Sequence, residues 1–433
     1  MNQVSFKSTP FQSIKEVWFL TSELEGERAS SFRQERWCRI FLESNATLRI
    51  FNLRGAFDHS DVTCNTNDEL IKFRKNGIDH YKGPKASVRE GLLVRFIRRI
   101  KHITLVDLYL PNVIKLFFHL HRLLKSRTKP IVIMASSPPF SVAVVGALIK
   151  WLHDRKVIFV VDMRDAWALH NALGGIKPLK RIIEKKVLRI ADYVTTVSYG
   201  LAEEFKRYYN VDVHVMYNVA THYLDSPKSA AIEWQQVSKD INPGRRQIVY
   251  TGSTPQGHYD LNSIVSAMVI LRKNKPELAN KIQLIFVGAC DEVRRLALSH
   301  AVPEDDIVFI GHLPHAVSRS VQASAHALIF LAHFGPKNAG VVSTKLFEYL
   351  CLNKPVLPFG LHQGSDVDIL LNRYCGKSLY LHNAKEIAAT LERIAKNELD
   401  FLPILDNAER IRELLVDYQN FSKIVLANRT GCI

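Results

Sequence analysis

Short runs of consecutive apolar and β-branched residues recur along this chain, with stretches of helical spacing between them. The pattern is run through twice. Val17-Trp18-Phe19-Leu20-Thr21-Ser22, Ile50-Phe51-Asn52-Leu53, Pro130 to Ala135, Val157 to Val161, Tyr193 to Val197 and Val213 to Tyr217 make up the first pass. Ile248-Val249-Tyr250, Ile282 to Val287, Val308 to Gly311, Ala327 to Leu331 and Val356-Leu357 make up the second. A strand that is apolar on both sides must be covered on both faces, and a parallel sheet flanked by helices provides that cover. Phe32 to Leu42, Ser141 to Asp154 and Leu261 to Leu271 have the spacing of such helices. With 433 residues the chain exceeds one ordinary core and suits two α/β domains. The predicted boundaries are a Rossmann-like domain over 1–225, a polar linker over 226–244 with Pro227, Pro243 and Gly244, a second Rossmann-like domain over 245–406, and a terminal helical segment over 407–433. Doubly wound sheets bind ligands beyond the carboxyl ends of their strands, so the expected site lies there.

Composition narrows the function. Apolar residues make up 47% of the chain, normal for a globular protein. Met1 to Phe11 lacks an apolar signal core, so export is not expected. The longest apolar stretch, Phe140 to Leu152, is interrupted by Gly146 and Lys150 and is shorter than the roughly 20 residues a membrane span needs. The six cysteines are scattered without a C-x-x-C pair and read as reduced thiols in a cytoplasmic protein. His119-x-His121 and His312-x-x-His315 lack a third ligand at metal-site spacing, and no metal is expected.

The charge of +16 is uneven. Ile71 to Pro130 carries 15 Lys and Arg against three acids, a net +12. Within it, Val88 to His102 has helical period, with Leu92, Leu93, Phe96, Ile97 and Ile100 on one face and Arg95, Arg98, Arg99 and Lys101 around it. A basic amphipathic helix of this kind suits the anionic inner face of a cell membrane. Val113 to Lys125 shows a second such run, whose apolar face is expected to pack on the sheet. No exposed aromatic interleaving or docking motif points to nucleic acid.

Two segments carry candidate chemistry in the second half. Gly252-Ser253-Thr254 follows a strand directly, where a glycine permits close backbone approach to a diphosphate. Ser343-Thr344-Lys345 opens a helix through Leu350: Ser343 and Thr344 cap it, Lys345 adds a positive charge, and Glu348 can accept from the two hydroxyls of a ribose. Alone, each also reads as an ordinary strand end or capped helix. In the first half, Asp162, Arg164 and Asp165 fall within four positions after a strand. A carboxylate there can orient or deprotonate an acceptor hydroxyl. The competing reading is an internal Arg–Asp pair that fixes the loop, with Trp167 in the core.

These segments resemble one family in their order along the chain. K-L-F-E-Y-L followed by K-P-V-L is similar to the donor-site helix of GT-B glycosyltransferases of family 4. Asp162-Met163-Arg164-Asp165-Ala166-Trp167 resembles the D-x-R-D-x-W loop of the subgroup that builds bacterial surface polysaccharides. Ala191-Asp192 through Ser198, Tyr217-Asn218 and Tyr250-Thr251-Gly252-Ser253 resemble further family segments. The resemblance implies a GT-B fold, an α/β architecture of two doubly wound domains facing a central cleft, with a terminal helix returning to the first. It implies a retaining, hexosyl-type and metal-independent transfer from a nucleoside-diphosphate sugar, with no other cofactor, to a lipid-linked glycan.

By the same resemblance, Gly252, Ser253, Thr254, Gly288, Leu313, Ser343, Thr344, Lys345 and Glu348 are donor contacts, and Leu313 lies beside the base. Asp165, Arg164 and Asp162 form the catalytic loop, while Ser30, Ser31 and Arg33 are acceptor-side residues. Many relatives carry a glutamate eight positions before the second one; here that position is Gly340. A GT-B sugar-nucleotide epimerase and a non-catalytic sugar-nucleotide-binding subunit are the alternative readings.

Overall fold

The computed structural model describes residues 14–21, 24, 29–53, 62–80, 110–169, 176–219, 234–332, 342–398 and 407–427. The chain divides into two compact units, 1–218 with 414–433 and 219–413.

The first unit is built on β1 (Glu16–Thr21), β2 (Thr47–Asn52), β3 (Val62–Cys64), β4 (Ile131–Ser137), β5 (Val157–Met163), β6 (Tyr193–Thr196) and β7 (His214–Val215). They lie in the order β3-β2-β1-β4-β5-β6-β7. Neighbours run parallel except β2 and β3. Phe19 of β1 sits opposite Ile50 on one side and Met134 on the other. β4 and β5 are buried at every position, as their unbroken apolar runs require. Helices Leu110–Lys125, Phe140–Leu152 and Lys177–Ile190 cover one face around Leu120, Phe159 and Val187. On the other face, Ala29–Glu43 and Asn407–Ala427 pack Trp37, Phe41, Tyr418 and Phe421. The order reverses between β1 and β4, so the carboxyl ends of these strands mark the switch point.

The second unit repeats the plan with β8 (Arg246–Thr251), β9 (Ile282–Val287), β10 (Ile307–Ile310), β11 (Ala327–Leu331) and β12 (Val356–Phe359). All are parallel, in the order β10-β9-β8-β11-β12, with the reversal between β8 and β11. Side chains stop and start the helices where local chemistry allows. Asp260 accepts from the Ser263 N–H, and Asn383 accepts from the Lys385 and Glu386 N–H groups. Asn210 and Asn397 end helices in the left-handed conformation.

The division departs from the predicted boundaries. The chain passes to the second unit after Asn218, ahead of the 226–244 segment, and returns within the terminal helix after Glu413, past residue 406. Val219 is fully buried, so the crossing falls in an apolar stretch and polar composition did not mark it. Among the described residues no helix is long and apolar enough to cross a membrane.

Candidate functional site

At the switch point of the second sheet, three backbone segments close on one another. β8 ends at Thr251, and Gly252 takes φ +143°, donating its N–H to the Val287 carbonyl at 2.8 Å. Gly288 follows β9 with φ +112° and donates to Ile310 at 2.9 Å, which draws in the turn after β10. A Cβ on Gly288 would lie 2.3 Å from the Gly252 carbonyl oxygen, so only glycine allows this approach. Thr254 is anchored through its N–H to the Ala289 carbonyl at 2.9 Å and its side chain is buried, which corrects its donor-contact expectation, while Ser253 is exposed. Leu313, two residues beyond Gly311, is half-buried in the turn after β10.

The helix Thr344–Leu350 stands over this edge. Ser343 caps it by accepting from the Lys345 N–H at 3.4 Å, as its position predicts. Tyr349 is fully buried and ties the helix to the end of β8, with its hydroxyl 3.2 Å from Thr251 Oγ1. That anchor aims Lys345 across the strand end. Its Nζ occupies the space a side chain on Gly252 would need, 1.8 Å from the ideal Cβ position, and lies 5.2 Å from the centre of the Tyr250 ring. Burial holds the Lys345 ammonium below the usual lysine range, against the opposing pull of Glu348. No carboxylate forms an ion pair with it among the described residues. A desolvated cation above a glycine, beside exposed backbone, is poised for an anionic ligand that restores its lost charge partner.

One turn on, Glu348 is half-buried, with Gln322 Nε2 at 3.4 Å. Gln322 also donates to Thr251 Oγ1 at 2.8 Å, so it links the carboxylate to the strand end. Cys290 donates its thiol to the Gly252 carbonyl at 3.4 Å, and burial pushes that thiol up to about 11. Gln322, Tyr349 and Cys290 were absent from the sequence expectations. They come from separate elements, and helical or strand spacing marks them only as interior. The expected donor residues Gly252, Ser253, Thr254, Gly288, Leu313, Ser343, Thr344, Lys345 and Glu348 thus all border one edge of the second sheet.

The first unit sorts its candidates differently. Asp162, at the end of β5, is fully buried and belongs to an internal network. Arg33 Nη2 lies 2.6 Å from its Oδ1, Thr195 donates at 2.7 Å and Ser136 at 3.0 Å. Arg33, also fully buried, donates further to the Met216 carbonyl at 2.6 Å and the Tyr418 hydroxyl at 2.7 Å. Burial alone would raise the Asp162 carboxyl, but Arg33 and these hydrogen bonds hold it below the usual range. Neither residue presents an atom to a substrate, which corrects the catalytic expectation for Asp162 and the acceptor-side expectation for Arg33. Ser31 is likewise fully buried and is corrected with them. The side chain of Ser30 lies outside the described residues.

Arg164 turns back onto the loop after β4, donating to the carbonyls of Ser137 at 3.2 Å and of Pro138. The internal pair expected between Arg164 and an aspartate is therefore made by Arg33 and Asp162. Asp165 is exposed, with no hydrogen bond or ion pair from another side chain among the described residues. The loop two and three residues further on is held by a residue the sequence did not single out. Glu184 accepts from the Trp167 N–H at 2.7 Å and the Ala168 N–H at 3.1 Å. Trp167 stacks on Phe140 with centroids 4.2 Å apart, in the core as the structural reading expected. Arg95, Arg98, Arg99, Lys101 and Gly340 lie outside the described residues. Among the described residues no group of three or more His, Cys, Asp or Glu is placed to hold a metal ion.

Comparison with known proteins bears on the fold. Residues 73–220 match the sequence profile of Glycosyltransferase Family 4. A search of curated proteins returns no match. Among solved structures, an S. aureus TarM mutant in complex with Fondaparinux, alpha-GlcNAc-glycerol and UDP superposes with a TM-score of 0.54 at 9% identity, covering 96% of this chain and 100% of that one. The E. coli trehalose-6-phosphate protein bound with UDP-2-fluoro glucose gives 0.58 at 11% identity, covering 95% and 99%. The N-terminal domain of Candida albicans trehalose-6-phosphate phosphatase gives 0.57 at 12%, covering 97% and 98%. At these identities the likeness is one of fold, and the fold is GT-B.

Proposed function

We propose, from a GT-B chain that is glycosyltransferase family 4-like, that this protein transfers a sugar from a nucleoside-diphosphate donor to a glycan acceptor. The observation that carries the reading is Lys345, a desolvated ammonium directly above Gly252 at the switch-point edge, with no ion pair among the described residues. A diphosphate placed there meets the cation, the Ser343 and Thr344 hydroxyls and the backbone of Gly252 and Gly288. The ammonium offsets the charge that develops on the leaving diphosphate without requiring a metal. Glu348, one helical turn away, accepts from the ribose hydroxyls, and Leu313 lies on the base side. UDP in the S. aureus structure and UDP-2-fluoro glucose in the E. coli one support a nucleotide sugar as donor. Asp165, exposed two residues before the Trp167 N–H that Glu184 holds, is the group that acts on the acceptor hydroxyl.

The finer reading is a retaining, hexosyl-type transfer to a lipid-linked glycan in surface-polysaccharide synthesis, at the cytoplasmic face of the inner membrane. Its support is the motif order in the sequence and the basic charge of the first unit. The test is release of nucleoside diphosphate from UDP-, GDP-, ADP- and dTDP-sugars with a soluble acceptor analogue. The wild type should release it from one donor, and Lys345→Met should not, while keeping a melting temperature no lower than wild type. Donor binding without release or transfer would leave the non-catalytic subunit. A donor epimerised without acceptor would favour the epimerase.

A further inference from the structure

The three helices that cover one face of the first sheet bury their inner sides and leave their outer sides apolar. On Leu110–Lys125, Leu116, Leu120 and Leu124 are in the core, while Ile114 and Phe118, one turn apart, point outward. Phe118 is 63% exposed. On Phe140–Leu152, Leu148 and Trp151 do the same, and Trp151 is 70% exposed. Ile182 continues the surface on Lys177–Ile190. The middle helix packs against both others, and His121 Nδ1 lies 2.9 Å from His153 Nε2 where the first two meet. All three helices share one core cluster, and their exposed apolar side chains lie away from it. A tryptophan, a phenylalanine and several large aliphatics on neighbouring helices exceed the scattered exposure normal for a monomer's surface.

Most of the charge around these residues is positive; the exposed Asp154 and the partly exposed Asp192 both pair with Lys150. Lys115, Arg122, Arg155, Arg181 and Lys186 are exposed on or beside the same helices. The first helix has no acid, Glu184 of the third is fully buried, and Asp154 pairs with Lys150 at 2.8 Å. An apolar centre with a cationic rim matches the interfacial region of an anionic bilayer, where the rings enter the headgroup boundary and the cations stay among phosphates. A second copy is a poorer occupant, because a two-fold contact would set this cationic rim against itself.

We infer that this three-helix face, centred on Phe118 and Trp151, docks the protein on an anionic lipid surface. The inference deepens the proposed membrane-linked function and rests on it for the source of the acceptor. It also moves the docking surface onto described residues, including the helix the sequence assigned wholly to packing.

The test uses the full chain with phosphatidylcholine vesicles, with and without phosphatidylglycerol. The wild type should sediment with the anionic vesicles only, and should be released in 1 M salt, where the Debye length falls to about 3 Å. Trp151 emission should shift to the blue on binding, and Trp151→Phe should remove that shift. Phe118→Ser with Trp151→Ser should weaken partition by about tenfold or more, since each ring loses its buried apolar area. Both side chains are exposed, so circular dichroism and melting should be unchanged.

Equal partition of wild type and double variant overturns the inference. So does equal binding to single-stranded RNA, or a dimer that the double variant dissociates, which would assign the face to a second copy. Nucleotide-sugar binding is measured separately without vesicles. Donor binding without vesicle binding overturns this inference alone, and vesicle binding without donor binding overturns the transferase reading alone.

Discussion

Glu348 and Asp165 are both carboxylates beyond strand ends, and their surroundings give them different work. Glu348 is half-buried beside Gln322, on a helix pinned by Tyr349. A charged acceptor in that position binds hydroxyls strongly, so Glu348→Gln should weaken nucleotide-sugar affinity by roughly 1.5–3 kcal/mol. Calorimetry on folded variant checks this, and unchanged affinity would remove the residue from the donor site. Asp165 is exposed, in a loop whose Trp167 N–H, two residues on, is held by Glu184. Asp165→Asn should leave donor affinity within error and lower transfer sharply, because the lost group acts on the acceptor or transition state. A variant that binds donor and transfers at the wild-type rate would end that assignment.

At the scale of elements, the first sheet is locked at its carboxyl edge by Arg33 and Asp162, which join the helix Ala29–Glu43, β5 and the terminal helix through Tyr418. Breaking one partner of a buried pair leaves the other charge stranded, so Asp162→Asn should cost roughly 3–5 kcal/mol in denaturant unfolding. The pH dependence has a defined sign. Asp162 is held below the ordinary 3.8, so its stabilisation is complete above that value and is lost as pH falls through the lower folded one. Wild type and variant should therefore differ at neutral pH and converge in acid. A constant difference across the whole acid titration would show that the charge is not what stabilises the pair. In the second sheet the equivalent edge is kept open: glycines meet there, and Lys345 takes the space a side chain would fill. One edge is sealed by a salt bridge, and the other carries a cation with no ion pair among the described residues. Lys345 and Glu348 keep partial exposure there, whereas Ser31, Arg33 and Asp162 of the first unit have none.

For the whole molecule, each unit carries its own sheet and core, and the residues proposed to hold the donor all belong to the second. A ligand that binds only the folded state stabilises it by mass action. The correct nucleoside-diphosphate sugar at a hundredfold excess over its dissociation constant should therefore add about 2.7 kcal/mol. A thermal-shift series over UDP-, GDP-, ADP- and dTDP-sugars reads this directly and identifies the base at the same time. Failure of every donor to shift the transition would remove the nucleotide-sugar site.

Local signals in the chain determined a great deal. Runs such as Ile131 to Ala135 and Val157 to Val161 became strands buried on both faces, because β-branched residues in series leave no polar side to expose. Ser343 and Gly252 took the cap and the positive φ that their residue types favour, so the strand-end turn and the start of the helix Thr344–Leu350 were legible. Tertiary structure alone decided what lay far apart in sequence. Arg33 and Asp162, 129 positions apart, form a buried pair that no spacing reveals. The crossing at Val219 ran through apolar residues, where composition could not mark a boundary. Trp151 and Phe118 have the same helical period as their buried neighbours, and only the packing of three helices on one sheet determined which apolar side met the core and which met solvent. Period and propensity act over a few residues, whereas burial depends on which distant element arrives to cover a side chain.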